Sequence, residues 1–218
     1  LGPDGSGITQ RLAIGVAPEH SLAAADLGRP GVLQECLARF DGAHPDRDPR
    51  ALASLWTQWY AATAWPGLVA GAVLLGQGAR LDEAVIRLDA EARPVGIGLG
   101  RVEAVDTAAF LEALVRCQAA PLMTAAAATG LAERVPWSNA INVLGWMLDQ
   151  LRPIADAGRL GAAFAVFDRP RWSDGAVNPL AAAWPAGEGR PPRRVCCLRY
   201  RLAGFDYCGD CPIPDARR

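Results

Sequence analysis

The sequence contains no lysine. Its 22 basic residues are all arginine, set against 23 acidic ones, for a net charge of −1. A near-neutral chain has no long-range field to draw in nucleic acid, and no nucleic-acid partner is expected. The missing lysine also rules out a P-loop, although Gly96, Gly98 and Gly100 superficially resemble one. Arginine keeps its charge at every working pH, so any basic cluster here is permanent. Histidine is almost as scarce, with only His20 and His44. Both are read as ordinary loop residues and not as metal ligands. Residues 1–7 have neither a basic start nor an apolar core, so no signal peptide is read and a cytoplasmic location is expected. Residues 60–79 carry no charge, but Gly, Ala, Thr, Gln77 and Pro66 dilute the stretch. It reads as a buried helix pair and not as a membrane span.

Half of the residues are apolar (51%) and about a fifth are charged (21%), a globular balance. A short strand is predicted at 12–16. Pro30 opens a short helix with Val32, Leu33, Cys36, Leu37 and Phe40 at helical spacing, closed by Gly42. Cys36 reads as a buried structural thiol. Asp48 followed by Pro49 is a helix start, with a capping side chain and then proline at the first helical position. Leu52, Leu55, Trp56, Trp59, Tyr60 and Thr63 mark its inner face, and Pro66 should break or kink it. The tryptophans Trp56, Trp59 and Trp65 read as core. Residues 84–89 and 95–100 alternate in polarity around a turn, which predicts a β-hairpin. Further helices are expected after Asp106-Thr107, with Cys117 structural near the end, and after Trp137-Ser138-Asn139, ending at Pro153. Residues 159–167 fit either a helix or a strand. The Pro- and Gly-rich stretch from 168 to 192 is mostly irregular and leads into the C-terminus. The fold class expected is α+β: predominantly helical, with a small antiparallel hairpin-based sheet and an irregular C-terminal segment. A scaffold domain is placed at 1–190 and a metal-binding segment at 191–218.

That segment holds four of the six cysteines, Cys196, Cys197, Cys208 and Cys211. Their spacing is Cys-Cys-x10-Cys-x2-Cys. Thiolates are strong, soft donors that suit zinc and iron–sulfur clusters. Zinc sites usually pair two Cys-x2-4-Cys knuckles, whereas here one half is an adjacent pair whose side chains diverge. A disulfide between neighbours is strained, and reducing surroundings oppose it. A two-iron cluster spans more space and tolerates a divergent pair. Spacing alone therefore ranks the cluster first and zinc second, close together.

The run Arg193-Arg194-Val195-Cys196-Cys197-Leu198-Arg199-Tyr200, followed by Tyr207-Cys208-Gly209-Asp210-Cys211-Pro212, resembles the C-terminal signature of the ferric siderophore reductase family of the FhuF type. Trp137-Ser138-Asn139, Asp174-Gly175, Asn178-Pro179-Leu180 and the Trp-rich helix around Trp56 are similar too. The resemblance implies a [2Fe–2S] cluster on Cys196, Cys197, Cys208 and Cys211. It also implies one-electron reduction of siderophore-bound Fe(III) to Fe(II), with a ferric siderophore of hydroxamate type as substrate and a separate protein or small reductant as electron donor. Peripheral association with an inner-membrane importer would follow. Arg193, Arg194, Arg199 and Arg201 are then candidates for docking substrate or donor, or for raising the cluster potential by fixed charge. Tyr200, Phe205 and Tyr207 are candidates to shield the cluster. The alternative is a zinc-stabilised or iron–sulfur interaction or electron-transfer module with no substrate of its own.

Overall fold

The computed structural model describes residues 11–15, 21–44, 48–183 and 193–213. His20, residue 16 of the first strand, and 184–192 of the irregular stretch lie outside these residues. Among the described residues the chain is predominantly helical with two small sheets, the expected α+β class.

Six strands form among the described residues: β1 (Leu12–Ile14), β2 (Ser21–Ala23), β3 (Gln77–Ala79), β4 (Val85–Leu88), β5 (Pro94–Leu99) and β6 (Val102–Ala104). The predicted hairpin is β4–β5, antiparallel, with Ile86 opposite Ile97. The Asp89 carboxylate shapes its turn by accepting from the N–H groups of Glu91 and Arg93, as short acidic side chains do in turns. The four-stranded sheet runs β1-β5-β4-β2, and β1 lies parallel to β5. The sheet is therefore mixed, larger than one hairpin. β3 and β6 make a separate antiparallel pair.

The helices are α1 (Val32–Asp41), α2 (Pro49–Ala70), α3 (Thr107–Ala113), α4 (Ala120–Ala127), α5 (Arg134–Leu151), α6 (Ala157–Asp168) and α7 (Pro179–Ala183). Residues 159–167 are thus helical, opened by the Asp156 carboxylate accepting from the Arg159 N–H. Helix α2 starts where the sequence places it: the Asp48 side chain accepts from the N–H groups of Arg50 and Ala51, filling two of the donors a helix start leaves free.

Helix α2 does not stop at Pro66. It continues to Ala70 and then widens into a π-turn over Gly71–Leu75. One helix stands where two were expected. Proline removes the N–H that would bond the carbonyl four residues back; that carbonyl, on Ala62, accepts instead from Arg11 Nη1 at 3.2 Å. The wide turn is satisfied in the same way. Arg159 donates to the carbonyls of Val73 and Leu74, and Thr107 Oγ1 to that of Ala72. A second π-turn, Leu114–Ala119, joins α3 to α4. It carries Cys117, which is exposed and so is not the structural thiol expected at a helix end.

Helix α2 is the central element, packed against α5 and β5. Trp56, Trp65 and Tyr60 are fully buried on it and Trp59 only partly, so the tryptophans are core as read. Burying each such side chain contributes roughly 1.5–3 kcal/mol. Trp56 also donates Nε1–H to the carbonyl of Ala92, at 2.8 Å, tying the helix to the hairpin turn. Trp56→Phe leaves that buried carbonyl unpaired and should cost about 2 kcal/mol, seen as a lower urea midpoint.

Candidate metal centre

The segment over residues 193–213 folds over the first half of α2 without regular structure, apart from a 3₁₀ turn at Arg199–Arg201. Four ties hold it. Ser54 Oγ donates to the carbonyl of Cys197 at 2.6 Å. Arg201 meets the Asp48 carboxylate at 2.7 Å. Leu202 is buried in the core. Phe205 lies against His44 and Trp59, with ring centres 5.6 and 6.3 Å apart. His44 is therefore no ordinary loop histidine. It is 9% exposed and packs between Phe40 and the C-terminal segment. Burial, and then the nearby Arg93 charge, push its pKa down, which favours a neutral ring at this contact.

The four C-terminal thiols meet here. Cys197 and Cys211 are buried, while Cys196 and Cys208 are partly exposed. Cys197 Sγ and Cys208 Sγ lie 3.7 Å apart, and Cys196 is in contact with Cys211. The pair 208/211 is brought together by a turn in which the Cys211 N–H donates to the Cys208 carbonyl at 3.0 Å. The adjacent pair is handled by the backbone of Leu198, at φ 61°. This left-handed conformation is uncommon for any residue but glycine. The Leu198 N–H points back at Cys196 Sγ, 3.3 Å away. Burial and the neighbouring Cys197 raise the Cys208 pKa to about 11, against the opposing pull of Arg193.

A chain of polar groups passes behind the thiols. Arg193 Nη2 donates to Asn139 Oδ1 on α5. Asn139 Nδ2 donates to the carbonyl and hydroxyl of Ser54 on α2, both at 3.0 Å, and the Ser54 hydroxyl in turn donates to the Cys197 carbonyl. Arg193 is 7% exposed and its Nε has no partner among the described residues. A buried guanidinium with only an amide as partner is costly unless negative charge lies nearby, and here the Cys208 thiol is near enough to feel its charge.

The four arginines singled out in the sequence thus occupy different environments. Arg193 is buried behind the thiols. Arg199 stacks over Phe205 with its guanidinium carbon 5.4 Å from the ring centre. Arg201 is paired with Asp48. Arg194 is exposed and carries no ion pair among the described residues. Tyr200 stacks on Tyr207, ring centres 4.7 Å apart. Ser54, Asp48 and His44 were not read as site residues. Ser54 had no legible signal, since nothing local marks a serine inside an apolar helix as a partner for a loop over a hundred residues away. Asn139 was visible only as part of a motif.

The donor set fits a [2Fe–2S] cluster. Two sulfurs sharing one metal at ~2.3 Å stand about 3.8 Å apart in a tetrahedron, close to the 3.7 Å between Cys197 and Cys208. Among the described residues, no three His, Cys, Asp or Glu side chains close on a single ion; the thiol contacts described are Cys197 with Cys208 and Cys196 with Cys211. Residues 193–212 match the model of the FhuF 2Fe-2S C-terminal domain. Along most of its length the chain is 28% identical to the ferric siderophore reductase of Escherichia coli (strain K12), over 214 residues that are 90% of this chain and 81% of that one.

The chain is thus similar to FhuF-type proteins along most of its length and carries their C-terminal signature. Its cofactor is a [2Fe–2S] cluster. The fold also resembles the aerobactin synthetase IucA from a hypervirulent pathotype of Klebsiella pneumoniae. The TM-score is 0.62 without nucleotide and 0.60 for the ATP-bound structure, at 14% and 13% identity. Each match covers 81% of this chain, which spans 45% of the synthetase. At such identity the likeness is one of fold.

Two changes test how the segment is held. Asn139→Ala strands a buried guanidinium and should cost about 2–3 kcal/mol, read as a lower urea midpoint. Asp48→Ala removes the cap of α2 and should cost about 1 kcal/mol. Burial works to raise the Asp48 pKa, but bonds from Arg201, Arg50 and the helix N–H groups outweigh it and hold the pKa at about 2. A depressed carboxyl stabilises the fold above its unfolded value. This contribution is complete above about pH 4 and lost as pH falls toward 2, so acid should narrow the gap between wild type and Asp48→Ala in thermal melts.

Proposed function

We propose that this protein is a ferric siderophore reductase. It passes one electron to Fe(III) held in a siderophore of hydroxamate type, and iron leaves as Fe(II) in the cytoplasm. The observation that supports this best is the meeting of Cys196, Cys197, Cys208 and Cys211 as two close pairs, in a chain whose E. coli relative bears that name. We take these four thiols as the residues that would hold the cluster. Residues 1–190 serve as the scaffold and 191–218 as the cluster-bearing segment seated on it.

Siderophore oxygens are hard donors that prefer Fe(III); one added electron weakens the complex. The [2Fe–2S] cluster supplies single electrons at a potential set by charge, hydrogen bonds to sulfur and exposure. The residues of this chain set those conditions. The Leu198 N–H is directed at Cys196 Sγ. Arg193 keeps a positive charge beside Cys208, where it favours the more negative, reduced state. Arg201 and Arg199 hold the segment through Asp48 and Phe205. The partly exposed Cys196 and Cys208 give the side from which a chelate or donor approaches. No helix among the described residues is long and apolar enough to cross a membrane, which accords with peripheral association at an importer. Electrons come from a separate donor.

Anaerobically purified protein should be red-brown with visible charge-transfer bands, and Cys208→Ser should lose them. Reduced wild type should release Fe(II) from a ferric trihydroxamate, trapped by a ferrous chelator, at least about 100-fold faster than Cys208→Ser, an effect on the scale of a lost catalytic group. A colourless protein with stoichiometric zinc would overturn the proposal. Arg193→Gln should lower the cluster potential by about 60 mV, tenfold in a one-electron equilibrium, in an optical redox titration.

A further inference from the structure

A groove opens on the other side of α5 from the Asn139 relay. One wall is the first turn of α5, with Arg134 and Trp137; the opposite wall is Arg194 and Val195. Val177 and Pro179 form its lip, and its cavity holds about 380 Å³. A second lobe of about 360 Å³ continues past Trp137, Val177 and Pro179 toward Trp172. A larger cavity of about 550 Å³ lies between α1 and β4, but no residue of the C-terminal segment lines it.

Three features set the groove apart. First, it adjoins the thiols. Val195 in its wall is the residue before Cys196, and consecutive Cα atoms stand about 3.8 Å apart. The helical turn that supplies Trp137 also supplies Asn139, which braces the Cys197 loop through Ser54. Second, its surface is apolar with a few charged groups, the usual character of a small-molecule site. Val177 is 61% exposed at the lip, a large apolar side chain open to solvent. It is held there by the Arg171–Val177 bridge and by the Arg116–Asp174 ion pair. Third, two guanidiniums, Arg134 and Arg194, face a single carboxylate, Glu133. Neither arginine carries an ion pair among the described residues, whereas Arg116, Arg152 and Arg201 are all paired.

We propose that this groove seats the ferric chelate. Its apolar face rests on Trp137, Val177 and Pro179, and negative charge on its periphery is drawn to Arg134 and Arg194. The inference rests on the reductase reading and adds the place and the charge preference: among hydroxamates with the same metal core, the protein favours those with an anionic tail.

The test uses holo-protein and gallium(III), which matches iron(III) in charge but takes no electron under these conditions, so binding is read apart from chemistry. Three linear trihydroxamates are compared by calorimetry, identical except that the terminal amine is free, acetylated or succinylated. Their gallium complexes carry charges of about +1, 0 and −1 at neutral pH. The succinylated complex should bind at least about tenfold more tightly than the free amine. Arg134→Glu should abolish that order, and Val177→Glu, at an exposed position, should weaken the succinylated complex about tenfold. The visible spectrum and potential of both variants should match wild type. Equal affinity for the three tails, no binding to wild type, or variants that bind like wild type would each overturn the groove. The reductase reading is tested separately with the iron complexes. If reduced wild type delivers its electron to them while the groove variants bind and react unchanged, the groove fails and the reductase reading stands. If the gallium complexes bind as expected but reduced protein never reacts with their iron counterparts, the groove stands as a chelate site and the reductase reading fails.

Discussion

The C-terminal segment depends on a buried line of hydrogen bonds, Arg193 to Asn139 to Ser54 to the Cys197 carbonyl. Its members come from three separate parts of the sequence and meet only when α2 and α5 pack against one another. An irregular segment has few internal bonds, so its thiols hold a fixed relation only if something regular fixes the backbone that carries them. Here two helices do so. The relay ends in a charge instead of an oxygen, and among the described residues that charge has no carboxylate of its own. A buried guanidinium in such a place is tolerable when an anion sits close by, and four cysteine thiolates around two irons would be that anion.

The same turn of α5 serves both faces. Asn139 points to the relay, and Trp137, two residues earlier, lines the groove beside Arg194 and Val195. A helix turns about 100° per residue, so neighbouring positions naturally address different sides. In the proposed reading this places the substrate wall and the cluster brace on one rigid element. The rest of the fold keeps α2 and α5 in register. The Trp56 bond to the hairpin turn, the Arg11 bond that frees α2 from the usual effect of Pro66, and the arginine and threonine contacts on the π-turn all fasten α2 at points where its own backbone bonding falls short.

Much of this was legible from local chemistry. Asp48 and Pro49 announced α2, the alternation around Pro94 gave the β4–β5 hairpin, and Cys36 was rightly placed in the core. The cysteine spacing pointed to a cluster because adjacent thiols serve one ion poorly. What escaped was set by partners distant in sequence. The continuation of α2 past Pro66 was not legible because the group that satisfies Ala62 is Arg11, some fifty residues away. His44 looked like a loop residue because Phe205, which covers it, lies at the far end of the chain. Cys117 was misplaced because a π-turn joins two helical stretches that periodicity separates. The four arginines formed one cluster in sequence, yet the fold sends Arg193 inward and Arg201 to Asp48.

Counting electrons tests the central proposal most directly. Protein reduced anaerobically and freed of excess reductant is titrated with a ferric trihydroxamate in the presence of a ferrous chelator, while the cluster absorbance is followed. The account predicts reoxidation with one Fe(II) trapped for each cluster. A reduced cluster that remains reduced through a full equivalent of ferric complex, with no Fe(II) formed, would contradict it.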